Sequence, residues 1–294
     1  MSRKVVLAGG TGFVGRYLAS KFSQQGYEVV IISRREGIAW HDTEGIVQAF
    51  HDAELLINLA GKSVNCRYHP KNRHEILQSR TETTKILGDA LLACDHPPLL
   101  WINSSTATIY RHAEDRPMTE ADGELGTGFS VDVAKAWEEV FFSYKLPHTR
   151  QVALRMAIVL GKDGGVFPVY RNLVRGGLGG PQGSGNQRFS WIHVEDVYQM
   201  ILYLRDHPEM RGVYNCSSPY PVTNRELMRG LRNAMGMRFG LPSYRWMLEI
   251  GAVFLRTETE LILKSRWVIP DRMVDAGFQF KYATLTEALG EIVH

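Results

Sequence analysis

The run Val5-Val6-Leu7-Ala8-Gly9-Gly10-Thr11-Gly12-Phe13-Val14-Gly15 ends an apolar stretch in glycines spaced three apart, and Ser33-Arg34-Arg35 follows about 20 positions beyond the last of them. Residues of these types at this spacing can grip a phosphorylated nucleotide. Glycine is needed where backbone must approach a pyrophosphate closely, and the N-terminal amides of the helix that begins here then face the anion. On this reading neither Gly9 nor Gly12 has room for a side chain. Binders of NAD place an acid after the second strand to bond both ribose hydroxyls. A hydroxyl and two guanidiniums stand there instead, suited to forked hydrogen bonds with a 2′-phosphate, so the pattern predicts NADP rather than NAD. The plainer alternatives are a glycine corner between strand and helix, and two arginines on a solvated loop.

The elements that must position these residues follow from periodicity. Apolar runs of strand length near 4–8, 28–32, 54–60, 99–105 and 151–159 alternate with helix-period segments near 12–25, 44–52, 74–94 and 131–145. This alternation predicts an α/β fold: a Rossmann-type doubly wound parallel sheet. The expected division is a nucleotide-binding domain over 1–165 with a return segment at 190–218. A smaller, mostly helical C-terminal substrate domain is expected over 166–189 and 219–294. The glycine-rich run from Gly176 to Gly185 reads as a mobile loop, either a lid or a connector. Thr223-Asn224-Arg225-Glu226 opens a helix with cap and acid in place. The apolar cluster Trp246, Met247, Leu248, Ile250, Val253, Phe254 and Leu255 reads as core before it reads as a substrate pocket.

Composition narrows the function classes. The net charge of +3 over 294 residues is spread without a long basic tract, so neither a nucleic-acid nor a membrane surface is expected. The three cysteines, Cys66, Cys94 and Cys216, have no metal-ligand spacing, and a reducing cytoplasm is the simplest context. No signal peptide and no apolar run of membrane-spanning length is read in the chain.

Further motifs carry a resemblance. Asn58-Leu59-Ala60-Gly61, Ser104-Ser105-Thr106-Ala107-Thr108-Ile109-Tyr110 and Trp191-Ile192-His193-Val194-Glu195-Asp196-Val197, in that order after the glycine turn, resemble the extended short-chain dehydrogenase/reductase superfamily of nucleotide-sugar epimerases and dehydratases. Gly177-Leu178-Gly179-Gly180-Pro181, Val268-Ile269-Pro270-Asp271-Arg272 and Ala276-Gly277-Phe278 look like its atypical epimerase-like subgroup. The resemblance implies that Gly9, Thr11, Gly12, Phe13 and Val14 form the pyrophosphate turn. It places Ser33 and Arg34 at the 2′-phosphate with Arg35 beside them, makes Leu59 and Ala60 the adenosine-side wall, and puts Glu75 and Arg80 against the cofactor. It also implies a catalytic hydroxyl at Thr106 and a ribose-holding lysine at Lys135.

The superfamily sets a tyrosine four residues before that lysine, on the same helical face, where the ammonium lowers the phenol's pKa. Here that position is Val131, which can move no proton. Tyr110 is the candidate replacement donor, with Ser130 and Asp132 adjoining the gap; the other accounts are hydride chemistry in which water or the substrate supplies the proton, and loss of catalysis. The resemblance thus implies an NADP(H)-dependent, epimerase-like oxidoreductase of unknown substrate, with a non-catalytic NADP(H) sensor as the alternative and an NAD-dependent sugar epimerase as a weaker third. His193 and Asp196 read as structural ties, with His193 as a catalytic base the lesser reading. Arg171, Arg175, Arg188 and Arg225 offer charge on the substrate side. The stripe Trp137, Phe141 and Phe142 fits either a homodimer face or the chain's own core.

Overall fold

The computed structural model describes residues 3–243 and 264–294; the cluster from Trp246 to Leu255 lies outside them. Strands β1 (Lys4–Ala8), β2 (Glu28–Ile32), β3 (Leu55–Asn58), β4 (Leu100–Thr106), β5 (Arg150–Met156) and β8 (Gly212–Cys216) form one parallel sheet in the order β8-β5-β4-β3-β1-β2. The chain runs outward from β1 to β2, then crosses back over β1 to β3. The point of reversal, at the carboxyl ends of β1 and β3, is where such sheets bind ligands.

Alternation along each strand sends successive side chains to opposite faces. Val5, Leu7, Leu55 and Ile57 pack with Leu18 and Phe22 of α1 (Phe13–Gln24) and with Val197 and Ile201 of α6 (Val194–Asp206). Val6, Ala8 and Leu56 face the other way, against α2 (Thr43–Phe50), α3 (Pro70–Ala93) and α4 (Phe129–Ser143). Trp137 and Phe141 of the aromatic stripe are spent inside the chain: Trp137 bonds Thr84, and Phe141 meets Trp101 edge-on at 4.6 Å.

Two expectations are corrected. The run 151–159 is two strands, because the Ala157 amide bonds Cys216 and the chain then leaves the sheet as β6 (Ile158–Gly161), which pairs with β7 (Trp191–His193). The glycine-rich run is pinned rather than free. Gly180 and Gly183 donate to Leu241 and Ser243, Leu241 and Ser243 donate back to Gly177 and Pro181, and the buried Gln182 amide bonds Asn224. A further apolar cluster joins α5 (Phe167–Arg175), α7 (Asn224–Ala234) and α9 (Leu285–Val293), with Thr223 and Glu226 forming the expected capping box. The remaining short helix is α8 (Asp271–Asp275). Among the described residues no helix is long and apolar enough to cross a membrane, and no group of three metal-ligating side chains is suitably placed for a metal ion.

Candidate functional site

Three of the four glycines at the first turn, Gly9, Gly12 and Gly15, do different jobs. Gly9 has φ +79°, and a Cβ there would lie 2.7 Å from the Ala60 backbone, so the turn presses directly on the end of β3. A Cβ on Gly15 would come within 2.6 Å of Gly10, so this glycine lets α1 close onto the turn. Gly12 differs from expectation: its φ of −77° is ordinary, and a Cβ would meet only the Gly9 carbonyl at 3.9 Å. The protein leaves open space in front of Gly12, and no side chain caps α1. The first-turn amides of α1 therefore stay open to an anion. Thr11 supplies a carbonyl to Arg16, and the ring of Phe13 packs into the space left by Gly161, Gly164 and Gly165, so both present backbone rather than side chain to the turn. Val14 packs on the sheet.

At the end of β2 the Ser33 hydroxyl is fully used: it donates to the Glu36 carbonyl and accepts from the amides of Arg35 and Glu36. It shapes the loop and has no hydrogen bond left for a phosphate, which corrects the expected contact. Arg34 and Arg35 are exposed, with no ion pair among the described residues. Both guanidiniums are thus available to an anion.

The end of β3 is set by Asn58, a residue whose role its sequence position did not reveal. Buried, it donates to Thr84 and Asn103 and accepts the Ala60 amide at 3.0 Å, fixing the Leu59-Ala60 wall beside the glycine turn. Glu75 pairs with Lys62, which also bonds Asn72; this contact holds the Glu75 carboxyl below its usual range. Arg80 bonds the carbonyls of Lys62 and Ile76, stands against Gly61 and lies 5.1 Å from the ring of Trp137. Burial pushes its guanidinium down to about 10, with the phenol of Tyr68 acting in the opposite direction.

Thr106 ends β4 half-exposed, its oxygen accepting the Thr108 amide at 3.1 Å, which leaves the hydroxyl proton free to donate. Lys135 reaches from α4 to the Gly126 carbonyl at 3.1 Å. Val131, one turn earlier, is wholly buried among Ala107, Ile109 and Tyr110. Tyr110 does not join Thr106 and Lys135. The short helical turn Ala107–Ile109 rotates it inward, where its hydroxyl donates to Asn215 and accepts from Arg155, both at 2.9 Å. Burial raises this phenol against the opposing pull of Arg155 and Asn215, which corrects its reading as a proton donor.

Beneath the turn, the Arg155 guanidinium grips Glu138 through two bonds of 2.7 and 2.9 Å, and Glu138 accepts the Ser105 hydroxyl at 2.6 Å. Burial works against the charge on Arg155, but Glu138 and Tyr110 raise its pKa above the ordinary value. This buried pair was not picked out from the sequence, although Glu138 follows Lys135 by three positions on one helix. Asn215 continues the network to the Ile269 carbonyl and to Glu120.

His193 and Asp196 are ties. His193 Nδ1 accepts the Glu195 amide at the start of α6, and Nε2 meets Glu291 of α9 at 2.9 Å. Burial lowers its pKa against the opposing pull of Glu291. The buried Asp196 carboxylate accepts the amides of Lys281 and Tyr282. Of the substrate-side arginines, Arg188 lies over Trp267 at 4.2 Å and Arg225 bonds the Ser184 carbonyl.

This strand order and glycine turn, with a hydroxyl at the end of β4 and a lysine on α4, mark a doubly wound α/β protein of the extended short-chain dehydrogenase/reductase type. The chain belongs to the NAD dependent epimerase/dehydratase family, whose sequence model matches residues 5–217; a domain of unknown function matches 245–292. It is 32% identical to the human epimerase family protein SDR39U1 over 99% of both chains, and 28% identical to the epimerase family protein SERP0438 of Staphylococcus epidermidis over 99% of both. A crystal structure of the human protein (isoform 2) with NADPH superposes with a TM-score of 0.89 at 31% identity, covering 99% of each chain. The UDP-glucose 4-epimerase of Thermotoga maritima, solved with UDP-glucose, shares the fold at a TM-score of 0.77 and 18% identity, over 99% of this chain and 97% of that one.

Proposed function

We propose that this chain binds NADP(H) at the carboxyl ends of β1 and β3 and acts as an NADP(H)-dependent, epimerase-like oxidoreductase. The observation that carries the reading is the pairing of an uncapped α1 terminus, open in front of Gly12, with two arginines, unpaired among the described residues, where an NAD binder keeps an acid. The NADPH-bound human relative supports it. In this arrangement the α1 amides hold the pyrophosphate, Arg34 and Arg35 hold the 2′-phosphate, and Leu59 and Ala60 wall the adenosine side. Arg80 adds a cation and Glu75 fixes Lys62 beside it. When bound, the dinucleotide supplies or accepts hydride. Lys135 holds the nicotinamide ribose, and Thr106 donates its free proton toward a substrate oxygen and so orients it.

Buried Val131 favours a second reading, a sensor whose partner binding changes with NADP(H) state. The test is NADPH oxidation at 340 nm against a panel of aldehydes, ketones and sugar nucleotides, run beside affinity capture with and without NADPH. Turnover abolished by Thr106→Ala or Lys135→Ala supports the enzyme. NADPH-dependent capture without turnover, untouched by Thr106→Ala, supports the sensor.

A further inference from the structure

We propose that the buried Arg155–Glu138 pair is the positioning device of the nicotinamide side, holding Lys135 and Thr106 in place relative to each other; the inference rests on the NADP(H) reading above. Ser105 and Arg155 are register partners on the adjacent strands β4 and β5, so their side chains leave the sheet on one face. Glu138 meets both from α4: it accepts the Ser105 hydroxyl at 2.6 Å and the Arg155 guanidinium at 2.7 and 2.9 Å. Each end of this contact is one short step from a residue of the proposed site. Ser105 directly precedes Thr106, and Glu138 follows Lys135 by three positions, on the same face of α4.

The pair also closes a ring. Nη1 of Arg155 donates to the Tyr110 hydroxyl at 2.9 Å, which anchors the far end of the turn that follows Thr106. Within that turn the Ile109 carbonyl accepts the Gly126 amide at 2.9 Å, and the Gly126 carbonyl accepts the Lys135 ammonium at 3.1 Å. From Lys135 one helical turn leads back to Glu138. Val131 packs against the same turn, buried with Ala107, Ile109 and Tyr110. Stability alone is a poor reason for such a pair, because taking two opposite charges out of water can cost more than their attraction returns, and apolar residues of similar size often serve a fold as well. What the guanidinium adds is direction: its planar fork engages Glu138 through two bonds while a further N–H reaches Tyr110, tying α4, β5 and the turn at one point. With no hydroxyl at position 131, the placement of Lys135 against the nicotinamide ribose and of Thr106 against a substrate oxygen depends on that frame. Ser105, Glu138 and Arg155 are buried, and as positioning residues they act through Lys135 and Thr106.

The test titrates the full chain with two ligands. NADPH reports both halves of the dinucleotide site, whereas adenosine 2′,5′-bisphosphate lacks the nicotinamide and its ribose and reports the adenosine half alone. Ser105→Ala removes the tie between β4 and α4 and leaves the buried ion pair intact; Glu138→Gln removes the charge and keeps an oxygen for Ser105. Each is expected to weaken NADPH by roughly fivefold or more and to leave the bisphosphate within about twofold of wild type, and neither should add to the loss caused by Lys135→Ala. Equal loss of both ligands, NADPH affinity untouched in either folded variant, or losses that add to that of Lys135→Ala overturn the proposal. Where Glu138→Gln does not fold, Ser105→Ala decides alone. A wild-type chain that binds no NADPH, or NADPH affinity indifferent to Lys135→Ala, overturns the reading beneath and this inference with it.

Discussion

Gly9 and Gly12 look alike in the sequence and differ in what constrains them. Gly9 combines φ +79° with a Cβ position 2.7 Å from the Ala60 backbone, so Gly9→Ala is expected to cost at least ~1 kcal/mol of stability from backbone strain alone. Gly12→Ala has no such cost. Its melting temperature should match that of the wild type, while NADPH affinity falls at least tenfold, about 1.4 kcal/mol, because the new methyl enters the space in front of the α1 amides. Calorimetry and an NADPH titration on the same samples check both; a Gly12→Ala protein that binds NADPH normally would remove the pyrophosphate from this place. Spacing announced the turn because a close backbone approach permits only glycine. It did not announce that Ser33 is consumed by its own loop or that Tyr110 points inward, since both depend on how a few residues after a strand rotate.

At the scale of elements, α1 and α6 are clamped by the Glu195 carboxylate, which pairs with Lys21 at 2.7 Å and accepts from Tyr17 and from Gln199. Burial works to raise its pKa, but these partners prevail and hold it at about 2 against an ordinary 4.5. Because the folded value is depressed, the clamp's contribution is complete above about pH 4.5 and is lost as pH falls toward 2. Chemical denaturation across that window should show a shallower loss of stability for Glu195→Gln than for wild type; parallel curves would mean the clamp contributes nothing. Helix and strand positions were legible because burial on one or two faces writes a period into the chain. The break at Ala157 was not, since an apolar run reads the same whether it stays in one sheet or passes to another. Nor was the pinning of Gly176–Gly185, whose partners at 241–243 lie some sixty residues away in sequence.

For the whole molecule, the doubly wound architecture followed from strand–helix alternation, and the ligand-binding end followed from the crossover after β2. What the sequence could not display is the buried polar chain of Ser105, Glu138, Arg155, Tyr110 and Asn215, which links β4 to the Ile269 carbonyl through residues 164 positions apart. Such networks are assembled by tertiary contact and leave no period. The proposed function turns on an NADP-selective cradle, which Arg34 and Arg35 decide. The most direct test is a pair of titrations of the purified chain with NADPH and NADH, repeated with Arg34→Ala. At least a tenfold preference for NADPH, about 1.4 kcal/mol, is expected, and its loss in the variant. Equal affinity for the two, or a preference untouched by Arg34→Ala, would contradict it.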